Sequence, residues 1–403
     1  MCQRMSSDAN RDLDAWIPRL IEVWRQHRAA PSKGQRGSPR GRPTIPEGPA
    51  DRLTPPEVKE LAAGIKRLSH GLTRQRELAG AKYMDDPALL GAYLLFYWPV
   101  SYAQSRAILS ELPSRPRSFL DLGSGPGPLA FAGIDAGARE TLAADRSKPA
   151  LELARQLAIA ASESLGTREW SPDRPLPEGT FDVITLGHVV NELYDGDVAR
   201  RAALLEQVAA RLKPGGSLVV MEPALRDTSR ALLEVRDVLV GKGFAVRAPC
   251  LFRGNCPALV KPSDWCHAER TWRMPPLTES LARAAGLHKE SLKMSYLVLA
   301  PKGETWAEPP KGRVFRIVSE ALEGKGRQRY MGCGPEGRLG LALQDKHRTE
   351  GNTRFFHLQR GEVIRLGGTT EEKGDGVGLS DQTTIELVAR AGQALPKDPA
   401  GSP

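Results

Sequence analysis

Seven residues, Asp121-Leu122-Gly123-Ser124-Gly125-Pro126-Gly127, limit the folds open to this chain more than any others. They close a short apolar run, SFL (118–120), of the kind that forms a buried strand. Glycines at 123, 125 and 127 remove side chains where the backbone must come close to a ligand, and Pro126 and Pro128 stiffen the bend. The next residues open a helix, whose free N–H groups favour a negative ligand group. A strand, a glycine-lined bend and a helix in that order are the opening unit of an α/β domain with a parallel sheet.

The alternation continues. TLAAD (141–145), FDVITLG (181–187) and GSLVVME (216–222) are short apolar runs, separated by the helical patterns of 149–166 and 197–216. Lys213-Pro214-Gly215-Gly216 is expected to break the chain ahead of the last strand. Asp145 ends the second strand 22 residues beyond Gly123, which suits two hydrogen bonds to ribose hydroxyls. A nicotinamide-type fingerprint fails, because its third glycine would fall on Pro128. The acid before the first glycine, the G-x-G-x-G spacing, the acid at 145 and the Lys-Pro-Gly-Gly turn together point to S-adenosylmethionine (SAM).

Asp121 would meet the ammonium of the cofactor's amino-acid tail, directly or through water. Gly123, Ser124, Gly125 and Gly127 would line the tail, and the stretch Trp170–Asp173 would hold adenine. The fourth strand runs into Gly187-His188-Val189-Val190-Asn191-Glu192. In such folds this strand end faces the reacting methyl group. His188, Asn191 and Glu192 could touch cofactor or substrate there, or cap the next helix. The Asn-Pro-Pro-aromatic motif of amino-group methyltransferases is missing, and no cysteine nucleophile stands at either strand end. The pattern names a cofactor site and leaves the catalytic residue unassigned.

Around this core the composition changes. Residues 118–222 hold 10 Lys and Arg against 15 Asp and Glu, whereas 1–80 hold 15 against 9 and 245–330 hold 15 against 8. Basic flanks on an acidic core suit a polyanionic partner such as nucleic acid, or a basic solvated surface. Leu13, Trp16, Ile17, Leu20, Ile21 and Trp24 recur at helical spacing, and the Pro-, Gly- and Arg-rich 31–50 reads as a flexible basic linker. Helices are expected from Thr54 to about Leu78 and over 87–109, the second kinked at Pro99. The expected layout has an N-terminal helix and linker (1–50), then a helical unit (51–115). The SAM-binding domain (116–302) follows, with a Cys-rich metal-binding insert near 245–275. A small antiparallel β unit (303–366) and a loose tail (367–403) complete it. Two helix–strand pairs after Glu222 compete for a place in the main sheet. The fold class is α/β, a class I SAM-dependent methyltransferase with a Rossmann-like doubly wound sheet.

Four of the five cysteines lie in the second half, as Cys250-x5-Cys256-x9-Cys266-x66-Cys333. Four thiolates complete a tetrahedral zinc site or a [4Fe–4S] cluster. The spacing lacks the tight pair usual in zinc knuckles, while His267 beside Cys266 keeps a Cys3His zinc site open, and unrelated buried thiols remain an alternative.

The blocks FLDLGSGPG, GHVVNEL, LKPGGSLVVMEP, APCLFRGNCPALVKPSDWCHAERTW and RYMGCGPEGRL, with the helix YMDDPALLGAYLLFYWPVSYAQSRAIL, resemble the methyltransferase-like proteins of small-ribosomal-subunit assembly. These are known from mitochondrial ribosomes and have bacterial relatives. The resemblance covers roughly residues 50–366, and the cysteine block is its most specific part. It implies a SAM-binding fold and a [4Fe–4S] cluster on Cys250, Cys256, Cys266 and Cys333. It also implies binding to small-subunit ribosomal RNA, in a family whose members are not uniformly active methyltransferases. Early acids and the missing apolar stretch at the start lead to an expectation of a monomeric cytoplasmic protein with no membrane partner.

Overall fold

The computed structural model describes residues 2–29, 49, 51–374 and 376–396. All but residue 49 of the basic 31–50 segment lies outside the described residues. The chain divides into two compact units. The first comprises Met1–Arg106, Arg115–Glu192 and Thr271–Leu292, and the second Ala107–Ser114, Leu193–Arg270 and Lys293–Pro403. Among the described residues no helix is long and apolar enough to cross a membrane.

The first unit opens with α1 (Cys2–Ala29), which buries the predicted stripe Leu13, Trp16, Ile17, Leu20, Ile21 and Trp24. Next, α2 (Pro55–Ser69) starts on a capping box, with Glu57 accepting the Thr54 amide at 2.7 Å. The buried guanidinium of Arg25 donates to both Glu57 oxygens at 2.8 and 2.9 Å and holds that carboxyl down at about 2. The α-helix stops at Ser69, short of the expected Leu78, and passes into a π turn over His70–Arg74. The helical pattern of 87–109 is likewise interrupted: α3 (Pro87–Ala92) and α4 (Trp98–Leu109) flank a π turn, Tyr93–Tyr97. The break therefore precedes Pro99. Lacking an N–H, Pro99 cannot bond the carbonyl one turn back, and the ladder re-registers there while Leu94, Leu95 and Phe96 stay fully buried.

From residue 118 strands and helices alternate as β1 (Ser118–Leu122), α5 (Pro128–Asp135), β2 (Glu140–Asp145), α6 (Lys148–Ala161), β3 (Gly166–Glu169) and β4 (Phe181–Gly187). The strands are parallel, in the order β3-β2-β1-β4, with Phe119 opposite both Thr141 and Val183. A Trp16–Trp98–Phe131 aromatic cluster packs α1 and α4 on α5, and the Trp98 indole donates to the Pro126 carbonyl at 3.1 Å, pinning the glycine bend.

In the second unit come α7 (Val198–Ala209), β5 (Leu212–Pro223), α8 (Arg226–Gly241), β6 (Val246–Ala248), β7 (Ala268–Thr271) and β8 (Ser291–Leu299). Here β8 lies between β5 and β6, antiparallel to both, so both competing helix–strand pairs add a strand to the same sheet. A second sheet follows: β9 (Arg313–Ile317), β10 (Leu322–Gly324), β11 (Arg327–Gly334), β12 (Gly337–Gln344), β13 (Val363–Gly367), β14 (Thr370–Lys373), β15 (Gly376–Leu379) and β16 (Thr384–Ala389). It corrects two expectations. Residues 370–389 form strands where a loose tail was expected, and β12 pairs β15 in parallel within an otherwise antiparallel sheet. Val377, Leu379 and Ile385 bury their side chains against Phe315, Leu341 and Ile364. Runs this short, set among glycines and acids, carry too little periodicity to read as strands.

Candidate functional site

Within the first unit the bend after β1 has the backbone its sequence demands. Gly123, Gly125 and Gly127 all have positive φ, at 70°, 53° and 81°. A Cβ on Gly123 would collide with Val189, and one on Gly125 would stand 2.9 Å from Cε and 3.0 Å from Sδ of Met84. The Gly123 and Ser124 amides donate to the Ala144 carbonyl at 2.7 and 3.1 Å, tying the bend to the end of β2. There Asp145 is nine-tenths buried. One carboxylate oxygen accepts the Gly125 amide at 2.8 Å and the other the Ser147 amide at 2.7 Å. Burial pushes its pKa up, against the pull of those two donors.

Asp121 sits beneath the bend. Its oxygens accept the Thr185 hydroxyl at 2.7 Å and the Ala130 amide at 3.1 Å, fastening β1 to β4 and to the first turn of α5. Burial raises it to about 7. Ser124 is buried, with its hydroxyl on the Gly125 carbonyl. Trp170, after β3, is buried, and its amide bonds the Asp145 carbonyl at 3.0 Å.

At the end of β4, His188 takes a left-handed φ of 61°, and its buried Nδ1 makes no hydrogen bond among the described residues. Burial and the Lys289 ammonium bring it down to about 4, so the imidazole is neutral near pH 7. Asn191 and Glu192 are engaged from a distant stretch of sequence. Asn191 Oδ1 accepts from Arg76 at 2.7 Å, and Glu192 accepts the Gly80 amide at 3.0 Å. Arg146 donates to the Gly80 carbonyl at 2.9 Å and to that of Ala81, and Ser147 donates to Asp85 at 2.8 Å. Residues 76–86 therefore form a strap across the bend, with the Met84 thioether against Gly125. Sequence reasoning missed this strap, because no spacing rule links Arg76 or Gly80 to residues more than a hundred positions later.

The second unit gathers all four cysteines around one cavity of about 70 Å³, several times the ~10–15 Å³ one water needs. Cys250 follows β6, and Cys256 opens a short 3-10 turn (Pro257–Leu259). Cys266 precedes β7, and Cys333 lies in β11. Helix α8 shapes the first loop: Asp237 accepts the Cys256 amide at 2.9 and 3.0 Å, while Arg236 donates to the Gly254 and Phe252 carbonyls at 2.6 and 2.7 Å. Strand register sets Arg316 and Arg338 opposite Cys333.

Burial, then the neighbouring thiols, pushes Cys256 up to about 12 and raises Cys266 and Cys333, while Arg338, Arg360 and Arg316 pull Cys266 down. The buried Nε atoms of Arg236, Arg316 and Arg338 and Nδ1 of His267 make no hydrogen bond among the described residues, while Arg360 Nε lies 3.9 Å from the Glu269 carboxylate. Burial and Arg360 lower His267 to about 4, and its ring stacks on Trp265. Among the described residues no three Cys, His, Asp or Glu side chains converge as a single metal ion requires. The four cysteines share the lining of the cavity with Arg270, Arg316, Arg338 and Arg360.

Residues 88–362 match the family profile described as "Mitochondrial small ribosomal subunit Rsm22". A cypemycin N-terminal methyltransferase from Streptomyces sp is 33% identical over 205 residues, covering 47% of this chain and 80% of that protein. A ribosomal protein L11 methyltransferase from Pelobacter propionicus is 35% identical over 127 residues, 31% of this chain, so the match spans only 35% of that protein's length. A solved ribosomal protein L11 methylase from Lactobacillus delbrueckii subsp. bulgaricus superposes with a TM-score of 0.32 at 15% identity, covering 51% of this chain and 78% of that one.

Proposed function

The chain belongs to the Rsm22 family of the mitochondrial small ribosomal subunit, and from that membership we propose that it binds SAM and acts on small-subunit ribosomal RNA. The observation that carries the SAM reading is the Asp145 carboxylate, held at the strand end by the Gly125 and Ser147 amides beside the bare glycine bend. Gly123, Ser124, Gly125 and Gly127 would take the amino-acid tail, Asp145 the ribose hydroxyls and the Trp170–Asp173 stretch the adenine. SAM supplies a sulfonium-activated methyl group, so proximity and orientation carry most of the demand on the protein. The neutral His188 imidazole at the end of β4 can accept a hydrogen bond from an incoming base. Asp121 keeps the bend rigid by joining β1, β4 and α5.

A second reading, RNA binding without methyl transfer, is favoured by one observation: Asn191 and Glu192 are tied to Arg76 and Gly80. For the cysteine cavity we propose a [4Fe–4S] cluster on Cys250, Cys256, Cys266 and Cys333, with zinc as the alternative. A cluster there would supply a rigid cross-link between the α8 loop and β11.

The test starts from anaerobically purified protein assayed for iron, sulfide and zinc, then titrated with SAM by calorimetry. A molar excess of iron and sulfide over zinc supports the cluster, and zinc alone overturns it. Labelled SAM should transfer its methyl to small-subunit RNA from a strain deleted for the gene, and Asp145→Ala should reduce transfer at least tenfold. Saturable SAM binding and RNA binding with no transfer would select the second reading. No heat of SAM binding overturns the SAM reading and leaves RNA binding alone.

A further inference from the structure

We propose that the open cleft lined by Arg115, Pro116, Arg117, Gly137 and Arg139 in the first unit is a docking site for the phosphodiester backbone of RNA. The inference adds a surface to the function proposed above and rests on it for RNA as the partner. The cleft measures about 560 Å³. It lies at the N-terminal ends of β1 and β2. Ser118 and Glu140 are register partners, so Arg117 and Arg139, one residue earlier, are neighbours, and the Arg117 carbonyl accepts both the Arg139 and Glu140 amides, at 2.8 and 3.0 Å. Pro116 is buried, and it forces Arg115 toward an extended backbone. Arg115 and Arg117 both line the cleft. Gly137, at a φ of 113°, adds no side chain to the cleft.

Like charges on adjacent strand positions repel, and folds normally set an acid between them. Here none does. All three arginines are exposed, and none makes a side-chain ion pair or hydrogen bond among the described residues. The acid beside them, Asp182, turns its carboxylate to the Arg117 and Ser118 amides, at 2.9 and 2.8 Å. Three unpaired guanidinium forks match phosphate oxygens, which they bind bidentately. An acidic protein is the poorer occupant, since protein docking sites centre on aromatic or apolar anchors and this lining offers only a buried proline. The acidic bias of 118–222 repels a polyanion elsewhere on that segment, which confines the contact to this edge.

The cofactor bend is at the opposite end of the same strand. Five residues of β1 at about 3.3 Å each put roughly 16 Å between the two ends. The cleft therefore anchors RNA and takes no part in chemistry at the bend.

The full-length protein is titrated with a labelled transcript of small-subunit RNA across a salt series. Replacing all three arginines (Arg115→Gln, Arg117→Gln, Arg139→Gln) should make the log K against log salt slope shallower by about 2 and weaken binding about 100-fold at 0.1 M salt. Three Arg→Lys changes should restore most of the slope. Wild-type binding with an unchanged slope in the Gln variant overturns the inference and leaves the function standing. Wild-type failure to bind overturns both. Competition by poly-glutamate or inorganic phosphate at RNA-equivalent charge concentrations overturns the choice of RNA. If circular dichroism shows the triple variant unfolded, Arg115→Gln alone decides, with a slope change of about 0.7 expected and none overturning the proposal.

Discussion

The glycine bend of the first unit and the cysteine cavity of the second differ in which of their polar groups are satisfied. Around the bend the carboxylates have found partners within the chain: Asp121 with Thr185 and Ala130, Asp145 with Gly125 and Ser147, Glu192 with Gly80, while Nδ1 of His188 and Nε1 of Trp170 make no hydrogen bond among the described residues. Around the cavity, Nε of Arg270, Arg316 and Arg338 and Nδ1 of His267 make no hydrogen bond among the described residues, and burial and neighbouring thiols raise Cys256 and Cys333. An unmade buried hydrogen bond costs about 1–3 kcal/mol. The bend is a finished recess that a ligand can enter and leave. If the cavity holds the proposed cluster, that group should behave as part of the fold.

That contrast is most exposed to failure at Cys256. Changing it to Ser removes one of four thiols from the cavity while its neighbours stay. Iron content and the absorption near 400 nm should fall to background, with a drop of many degrees in thermal midpoint, while SAM affinity holds. Unchanged midpoint and metal content would show that the cavity was complete all along.

A smaller effect is expected at the bend. Gly123→Val forces a β-branched residue to a φ of 70° and drives its Cβ into Val189. Strain and overpacking together should cost about 3 kcal/mol in urea unfolding and abolish SAM binding. Metal content should be untouched. Loss of metal in this variant would mean that the two regions do not behave independently.

The two regions were also unequally legible in sequence. The bend could be read because its requirement is local: positive φ at 123, 125 and 127 selects glycine, and one strand length fixes Asp145. The cavity was legible only as four cysteines, since its wall comes from β-register (Arg316 and Arg338 opposite Cys333) and from α8 (Ser229, Leu232, Leu233), which sequence spacing does not encode. The strap of residues 76–86 left no sequence signal for a related reason. Part of it works through backbone groups of Gly80 and Ala81, and its side-chain contacts join Arg76 and Asp85 to residues far along the chain. The strands at 370–389 escaped because their burial depends on a sheet edge that only the folded chain provides.

The smallest predicted effect tests whether the strap belongs to the finished side of this comparison. Burial raises the Glu192 carboxyl from its ordinary value of 4.5 to about 7. Between those limits the native state holds a proton that the unfolded state has released, so stability falls as pH rises from about 4.5 to about 7 and is level outside that window. Partial exposure of Glu192 limits the change to about 1–2 kcal/mol. Asp121, also raised to about 7, slopes the same way, so only the difference between variants isolates Glu192. Glu192→Gln keeps an acceptor for the Gly80 amide but cannot ionise. Urea unfolding at pH 5 and pH 7.5 should show a shallower pH dependence in the variant than in the wild type. Identical dependence would place Glu192 in contact with solvent and leave the strap unlatched at that end. The Gly80 amide would then be an unmet donor, and the bend would share the incompleteness of the cavity.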